Sequence, residues 1–347
     1  PGEITERGKL GPGQFLVADL TTGELFRDAE VKQQLAAKRP YGEWLNDNKI
    51  EWASLKEGDS RPLKEASELH FRHLLFGISR EEIQTVLAPM AGQGKEPIGS
   101  MGADTPLAVL SEKPQHLANY FKQLFAQVSN PPIDPIREAA VMSLRTWIGP
   151  GKNLLEESSA QAVHLPLESP LLSPAELHSL ESYPDPRFRT ERLSVCFSTE
   201  QRLEDALGQL IEQAVEAVEA GVSILVLTDE EADEQHIPIP MLLATGAVHQ
   251  TLIRLGKRPT VDLMAHSADI LEVHHVATLI SYGATAVIPY HAFDTLREWA
   301  ERHIDFREKS SEELHAAYRK AVETGLRKIM SKMGISTIQS YHGAQIF

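Results

Sequence analysis

Between Leu203 and Ile338 the apolar residues change period repeatedly, and no other feature limits the fold as sharply. Leu203, Leu207, Leu210, Ile211, Val215 and Val218 lie three or four apart, the spacing of one helix face, and Gly221 stands where such a helix ends. Val222-Ser-Ile-Leu-Val-Leu227 is then almost continuously apolar, as a strand is when both of its faces are covered. Pro240 opens a second helix through Leu255, Thr260–Met264 is a second strand, Ile270–Tyr282 a third helix and Thr285–Pro289 a third strand. Ser310-Ser-Glu-Glu313 has the spacing of a capping box, and Leu314, Tyr318, Val322, Leu326, Ile329, Met330 and Met333 follow on one helix face. Gly334 ends that helix, and Ile335-Ser-Thr-Ile338 starts a further strand. Such repetition predicts an α/β protein with a parallel sheet and right-handed crossovers.

The first half reads differently. Phe15–Leu20 and Glu24–Phe26 flank the turn Thr22-Gly23 and predict a hairpin, with Asp28 capping a helix that carries Val31 and Leu35. Residues 49–68 are polar and aperiodic, as a linker is. Ser79-Arg-Glu-Glu82 fits a capping box before the stripe Ile83, Val86, Leu87 and Met90. From about Gln115, Leu117, Tyr120, Phe121, Leu124, Phe125 and Val128 predict a second helix, stopped by Asn130-Pro-Pro132. Gly149–Pro186 shows little period and is expected to be irregular, and Leu193–Phe197 reads as a strand.

Charge and composition exclude several functions. Of 347 residues, 34 are Lys or Arg and 49 Asp or Glu, a net charge of −15, so neither a nucleic-acid groove nor an anionic membrane surface is expected. No apolar run reaches the roughly 18 residues of a membrane span. Cys196 is the single cysteine, which leaves no intramolecular disulfide and no cysteine-rich metal or iron–sulfur site; in its strand it reads as a small buried hydrophobe. The chain opens on Pro1 and closes on Phe347 just as a new apolar pattern begins, so both ends read as cut. A cytoplasmic or plastid-stromal location is expected.

Five groups of residues invite chemistry. Gly99, Ser100, Met101, Gly102, Asp104 and Thr105 make a loop that either meets a ligand closely or simply turns into a helix; its spacing matches no phosphate-binding fingerprint. Asp134 and Arg137 among prolines read as a salt-linked corner rather than a catalytic pair. His70 with His73, and His274 with His275, lack a completing ligand, so surface or capping histidines are the expectation over a metal site. Asp229-Glu-Glu-Ala-Asp-Glu234 follows a strand's carboxyl end, where α/β proteins bind ligands, yet an acid run is usually a solvated loop. Met333, Gly334, Ser336 and Thr337 could bond a flat cofactor, or equally form a helix cap and strand.

Four blocks in order carry a resemblance. They are Lys9-Leu-Gly-Pro-Gly-Gln14, the Lys95–Glu138 stretch, Tyr282-Gly-Ala-Thr-Ala-Val-Ile-Pro-Tyr290, and Ser331-Lys-Met-Gly-Ile-Ser-Thr337 with Ser340-Tyr-His-Gly-Ala-Gln345. Within the second, Pro97-Ile-Gly-Ser-Met-Gly-Ala-Asp-Thr-Pro106 is the most recognisable. Together they resemble the large subunit of glutamate synthases. The chain departs from that pattern at His70–Gly77, where a Gln- and Thr-containing stretch is usual, and at Ala103, where Asp is usual.

The resemblance implies an enzyme that makes two glutamates from glutamine and 2-oxoglutarate. A glutaminase releases ammonia, a tunnel carries it, and an FMN barrel beside a [3Fe–4S] cluster reduces the imine. It implies that residues 1–48 are the glutaminase tail, 49–324 a central domain that is a rudimentary, TIM-barrel-like relative of the FMN barrel, and 325–347 the first turn of that barrel. The glutaminase's catalytic cysteine, the cluster cysteines and most flavin contacts have no counterpart here, so no catalytic residue, metal or cofactor is expected in the chain itself. Met333, Gly334, Ser336 and Thr337 become flavin contacts of the longer enzyme, and the Gly99–Thr105 loop an interface and tunnel lining. Partners would be the glutaminase and FMN domains of the same polypeptide, with a small subunit or ferredoxin. The alternative is a stand-alone α/β small-molecule binding module.

Overall fold

In a computed structural model, residues 3–4, 6–48, 50, 64–97, 106, 108–113, 115–124, 133–153 and 155–347 are described. They fall into two compact units, residues 1–49 with 157–163, and the remainder.

The first unit begins with the expected hairpin. Strands β1 (Leu16–Ala18) and β2 (Leu25–Arg27) pair antiparallel, and Gly23 takes the positive φ of 77° that the turn requires. Helix α1 (Asp28–Ala36) follows; Arg27, not Asp28, holds the capping position, so Asp28 instead places its charge in the first turn. Helix α2 (Tyr41–Asn48) closes the unit, and Glu157 accepts a hydrogen bond from the Tyr41 hydroxyl at 3.2 Å.

The second unit opens with α3 (Ala66–Leu75), which supplants the carboxyl end of the expected linker. Ser79 then caps the next helix as its sequence predicts, its side chain accepting from Glu82 N while the Glu82 carboxylate accepts from Ser79 N. That helix runs as α4 (Arg80–Glu82), a π turn over Ile83–Leu87, and α5 (Ala88–Gln93). The helix expected from Gln115 does not form among the described residues: a 3₁₀ turn spans Leu117–Tyr120, and Phe121 is extended. Residues 121–124 alternate between half-buried and exposed, and Leu124 N donates to Ile346 O at 2.6 Å. The three-and-four spacing therefore hid an extended segment paired to the chain's carboxyl end; Phe125, Val128 and Asn130–Pro132 lie outside the described residues.

After α6 (Glu138–Val141), the stretch expected to be irregular contains order. Strands β3 (Thr146–Ile148) and β4 (Leu165–Leu167) pair antiparallel, and α7 (Pro174–Glu181) is capped by Ser173. The pieces are too short to show a period, and tertiary burial of Ile148, Leu165, Leu167, Leu177 and Leu180 holds them.

The parallel core then follows its sequence pattern. Strand β5 (Thr190–Ser194) ends one residue before β6 (Cys196–Ser198); the expected single strand is split, because β6 leaves the sheet. Helix α8 (Leu203–Glu219) buries Ala206, Leu210, Ala214 and Ala217, and Gly221 takes φ 87° while Val222 N bonds back to Ala217 O. Strand β7 (Ile224–Thr228) is buried throughout, as continuous apolarity demands. Next come β8 (His236–Pro238), which pairs with β6, α9 (Met241–Arg254), β9 (Asp262–His266) and α10 (Val273–Ser281). Strand β10 (Ala286–Ile288) and α11 (Tyr290–Arg302) complete the repetition. The sheet order is β10–β9–β7–β5, all parallel.

Helix α12 (Ser311–Met333) is capped by Ser310 as expected and packs on α10, where a Cβ at Gly325 would meet Val273 Cγ2 at 2.5 Å. Gly334 ends it in the left-handed conformation. No strand follows. Thr337 caps a short helix, α13 (Ile338–Tyr341), and a single parallel bridge between Ser143 and Thr337 is all the strand character present.

Candidate functional site

The carboxyl ends of β7, β9 and β10 are where a parallel α/β sheet offers its ligand crevice. Here they converge on Asp229, 2% exposed. Its Oδ1 accepts from the Tyr290 hydroxyl at 2.8 Å and from Ala268 N at 3.0 Å, and its Oδ2 accepts from Ser267 Oγ. Tyr290 in turn accepts from Arg72 Nη1 at 3.0 Å, while Arg72 Nη2 donates to Glu230 O. The His266 ring stacks on Tyr290, and Thr228 Oγ1 lies 2.8 Å from His266 Nδ1.

Ser267 Oγ also lies 2.7 Å from Asp269 Oδ1. One hydroxyl proton serves one carboxylate at a time, so the bridge between two carboxyl groups is satisfied when one of them carries a proton. Burial, with the nearby Asp269 charge, pushes Asp229 up to about 7. Asp269 moves the other way: burial opposes its charge, but His116, whose Nε2 is 3.3 Å from Asp269 Oδ2, holds it below the usual range. The two acids are pushed apart, the proton resting on Asp229. Glu272 beside them is raised by burial, and His275, stacked on His116 at 3.9 Å, is driven well below the ordinary imidazole value by burial. Each side-chain oxygen of Asp229, Ser267 and Tyr290 already has a protein partner.

The amino ends of β9 and β10 border a cavity of about 500 Å³, lined by Thr146, Trp147, Arg258, Asp262, Thr285 and His342 among others. Arg258 donates to His249 Nδ1 at 3.0 Å, Gly283 O at 2.9 Å and Val261 O. Asp262 accepts from Gly149 N at 2.7 Å and Thr285 Oγ1 at 2.9 Å. Burial lowers the Arg258 pKa against the pull of Asp262, raises that of Asp262, and drives His249 and His342 to about 4.

The sequence-picked groups scatter. Gly99, Ser100, Met101, Gly102, Asp104 and Thr105 lie outside the described residues. Met333 is half-buried, whereas Gly334, Ser336 and Thr337 are exposed, and Thr337 Oγ1 is engaged with Ser340. Asp134 and Arg137 form the expected corner, 3.3 Å apart. His70 is exposed; His73 is half-buried, bonds Thr295 and is driven to about 4 by burial. His274 and His275 are buried, contrary to the surface expectation: His274 Nε2 is 3.0 Å from Ala118 O and His275 Nδ1 accepts from Leu271 N. Among the described residues no group of three His, Cys, Asp or Glu could hold a metal ion. The acid run divides: Asp229 is buried, and Asp233 and Glu234 are exposed. Cys196 is half-buried rather than buried, and burial pushes its thiol up to about 11, which leaves it inert at neutral pH.

Sequence reading missed Arg72, His116, Ser267, Asp269 and Tyr290. The signal for Ser267 and Asp269 was present: like Asp229, they follow an apolar strand directly. Arg72 and His116 come from segments distant in the chain and left no such mark.

Comparison with known proteins gives the context. Residues 71–347 match the family described as glutamate synthase central domain, and residues 1–44 match class-II glutamine amidotransferases. The chain is 44% identical over 345 residues to the glutamate synthase [NADPH] large chain of Bacillus subtilis, covering 99% of this chain and 22% of that protein. It is 42% identical to ferredoxin-dependent glutamate synthase 2 of Synechocystis, covering 99% of this chain and 23% of that one. The chain thus spans about a fifth of the length of the curated relatives it matches. Among solved structures, mandelate oxidase with (S)-4-hydroxymandelic acid aligns at a TM-score of 0.29 and 15% identity over 38% of this chain and 33% of that one, too slight a likeness to bear on the fold. On the sequence match across most of its length, the chain belongs to the glutamate synthase central domain family.

Proposed function

We propose that this chain is the connecting segment of a glutamate synthase large chain, which makes two glutamates from glutamine and 2-oxoglutarate, and that it acts there as scaffold and ammonia-channelling link without catalysing a step. The observation that carries the reading is continuity: one chain runs from an amidotransferase match at residues 1–44 to a central-domain match at 71–347. The packed carboxyl edge of the sheet supports the non-catalytic part, since Asp229, Ser267 and Tyr290 are spent on one another.

In this reading residues 1–48 are the glutaminase tail, 49–324 the central domain and 325–347 the approach to the flavin domain. The four parallel strands and their helices are then the remnant of a barrel related to the flavin one. Partners are the glutaminase and flavin domains of the same polypeptide, with a small subunit or ferredoxin supplying electrons. FMN in the longer enzyme would supply the electron transfer. Met333, Gly334, Ser336 and Thr337 could give it only one edge of a site, because Met333 is turned partly into the core and Thr337 is engaged as a cap. The cavity at the amino edge speaks for a stand-alone binding module, but its charged lining is already internally bonded.

The loop Gly99–Thr105, with Met101 at its centre, is assigned to the interface that guides ammonia. In the full-length enzyme, Met101→Glu is expected to leave glutamine hydrolysis within about twofold while glutamate formation falls at least tenfold. Unchanged coupling of the two activities overturns the assignment.

A further inference from the structure

His116 caps a loop turn with one ring nitrogen and brings the other beside a carboxylate of the sheet. Its Nδ1 accepts from Ala118 N at 3.1 Å and so caps the Leu117–Tyr120 turn, while Nε2 lies 3.3 Å from Asp269 Oδ2. A ring nitrogen that accepts carries no proton, so the capping ring is the neutral Nε2–H tautomer. A second proton can go only to Nδ1, where it would meet the Ala118 N–H head on.

We propose that His116 is a proton-operated switch on the Leu117–Tyr120 turn: the neutral ring caps the turn, and the protonated ring gives up the cap and is held by carboxylates alone. The surroundings suit both states. Asp269 faces the ring from the carboxyl end of β9, Glu272 from the start of α10 and Glu82 from α4, while His275 stacks on it and His274 approaches from the same helix. Both histidines are pushed toward the neutral form by burial, so they add no competing charge near neutral pH. Burial also opposes a charge on His116, but the acids outweigh it and raise the ring above 6.5. Glu96, pushed up to about 7 by burial, adds negative charge beside Glu272 over the same range, and Asp229 adds it behind Asp269 through Ser267.

The signs follow. The ion pairs stabilise the fold fully below the unpaired pKa and are lost as pH rises through the raised one. The cap runs in opposition, present above the raised pKa and lost below it. The turn feeds residues 121–124, whose Leu124 N bonds Ile346 O, so the trade reaches the chain's carboxyl end.

Amide exchange of the full chain, corrected for intrinsic rates between pH 6 and 8.5, tests the switch. Ala118 protection should fall about fivefold as pH drops through the ring's pKa, the worth of one capping bond. His116→Asn, which can cap without titrating, should make that protection independent of pH, and Asp269→Asn should move the transition to lower pH. Flat protection in the wild type, or the same transition in His116→Asn, overturns the proposal. Should the variants fail to fold, imidazole nitrogen shifts of the wild type decide. One buried histidine must show the Nε2–H tautomer at pH 8.5 and titrate above 6.5, and absence of either rejects the switch.

Discussion

The two edges of the parallel sheet carry similar chemistry and are finished in opposite ways. Each has a buried carboxylate, histidines and an arginine. At the carboxyl edge, where such sheets usually hold ligands, the Asp229 carboxylate is bonded to Ser267, Ala268 and Tyr290. At the amino edge, Arg258 and Asp262 border a cavity of about 500 Å³. Polar residues at the catalytic-looking edge of a sheet can thus be structure, while an open cavity lies at the other edge. It supports a connecting role more than a chemical one.

The amino edge should respond most strongly to mutation. Arg258 donates to His249 Nδ1, Val261 O and Gly283 O, and its charge acts on buried Asp262. Arg258→Met removes the donor to His249 Nδ1 and Val261 O while Asp262 keeps Gly149 N and Thr285, and is expected to cost about 2–4 kcal/mol of stability, since each buried acceptor left unpaired costs about 1–3 kcal/mol. Urea denaturation at neutral pH measures it. A loss below about 1 kcal/mol would mean that water in the cavity already solvates these groups, and the contrast between the edges would fail.

The carboxyl edge should show its difference in pH rather than in size. Asp229 is raised from 3.8 to about 7, so the folded chain holds a proton that the unfolded chain releases. Its stability contribution is therefore present below 3.8 and lost as pH rises through about 7. Asn in its place keeps an oxygen for Tyr290 and Ala268 and cannot ionise. Asp229→Asn should gain on the wild type between pH 5 and 8 by on the order of 1–3 kcal/mol, the two-state cost of a buried ionised carboxylate. Parallel stability curves across that range would show that Asp229 is ionised without penalty.

What the sequence made legible follows from length and burial. Helices α8 and α12 were readable because each is buried on one consistent face for long enough to show a period, and strand β7 because burial on both faces makes it continuously apolar. Strands β3 and β4 are three residues each, and the segment at 121–124 takes its shape from Ile346, more than two hundred residues away. The site divides in the same way. Asp229 and Tyr290 were both visible as polar residues just after an apolar strand, but Arg72 is brought to them by folding, and nothing in its local sequence marks it. His116 was read past altogether, because its capping bond depends on a turn that the helical spacing concealed.

The mildest change is expected where the amino edge meets the proposed flavin approach. Thr337 accepts from Ser340 N and donates to Ser340 Oγ at 2.9 Å, so it fixes the first turn of α13, whose Ile338 and Gln339 line the amino-edge cavity. Thr337→Ala is expected to cost about 1 kcal/mol, an ordinary capping loss. Thr337→Ser, which keeps the hydroxyl, should restore it. The same pair in full-length enzyme separates the two roles of this residue. If its work is the cap, flavin content should follow stability in both variants. If its work is a flavin contact, Thr337→Ala should lose flavin with unfolding unchanged, and the amino edge would then be part of the cofactor's surroundings rather than a structural counterpart to the internally bonded carboxyl edge.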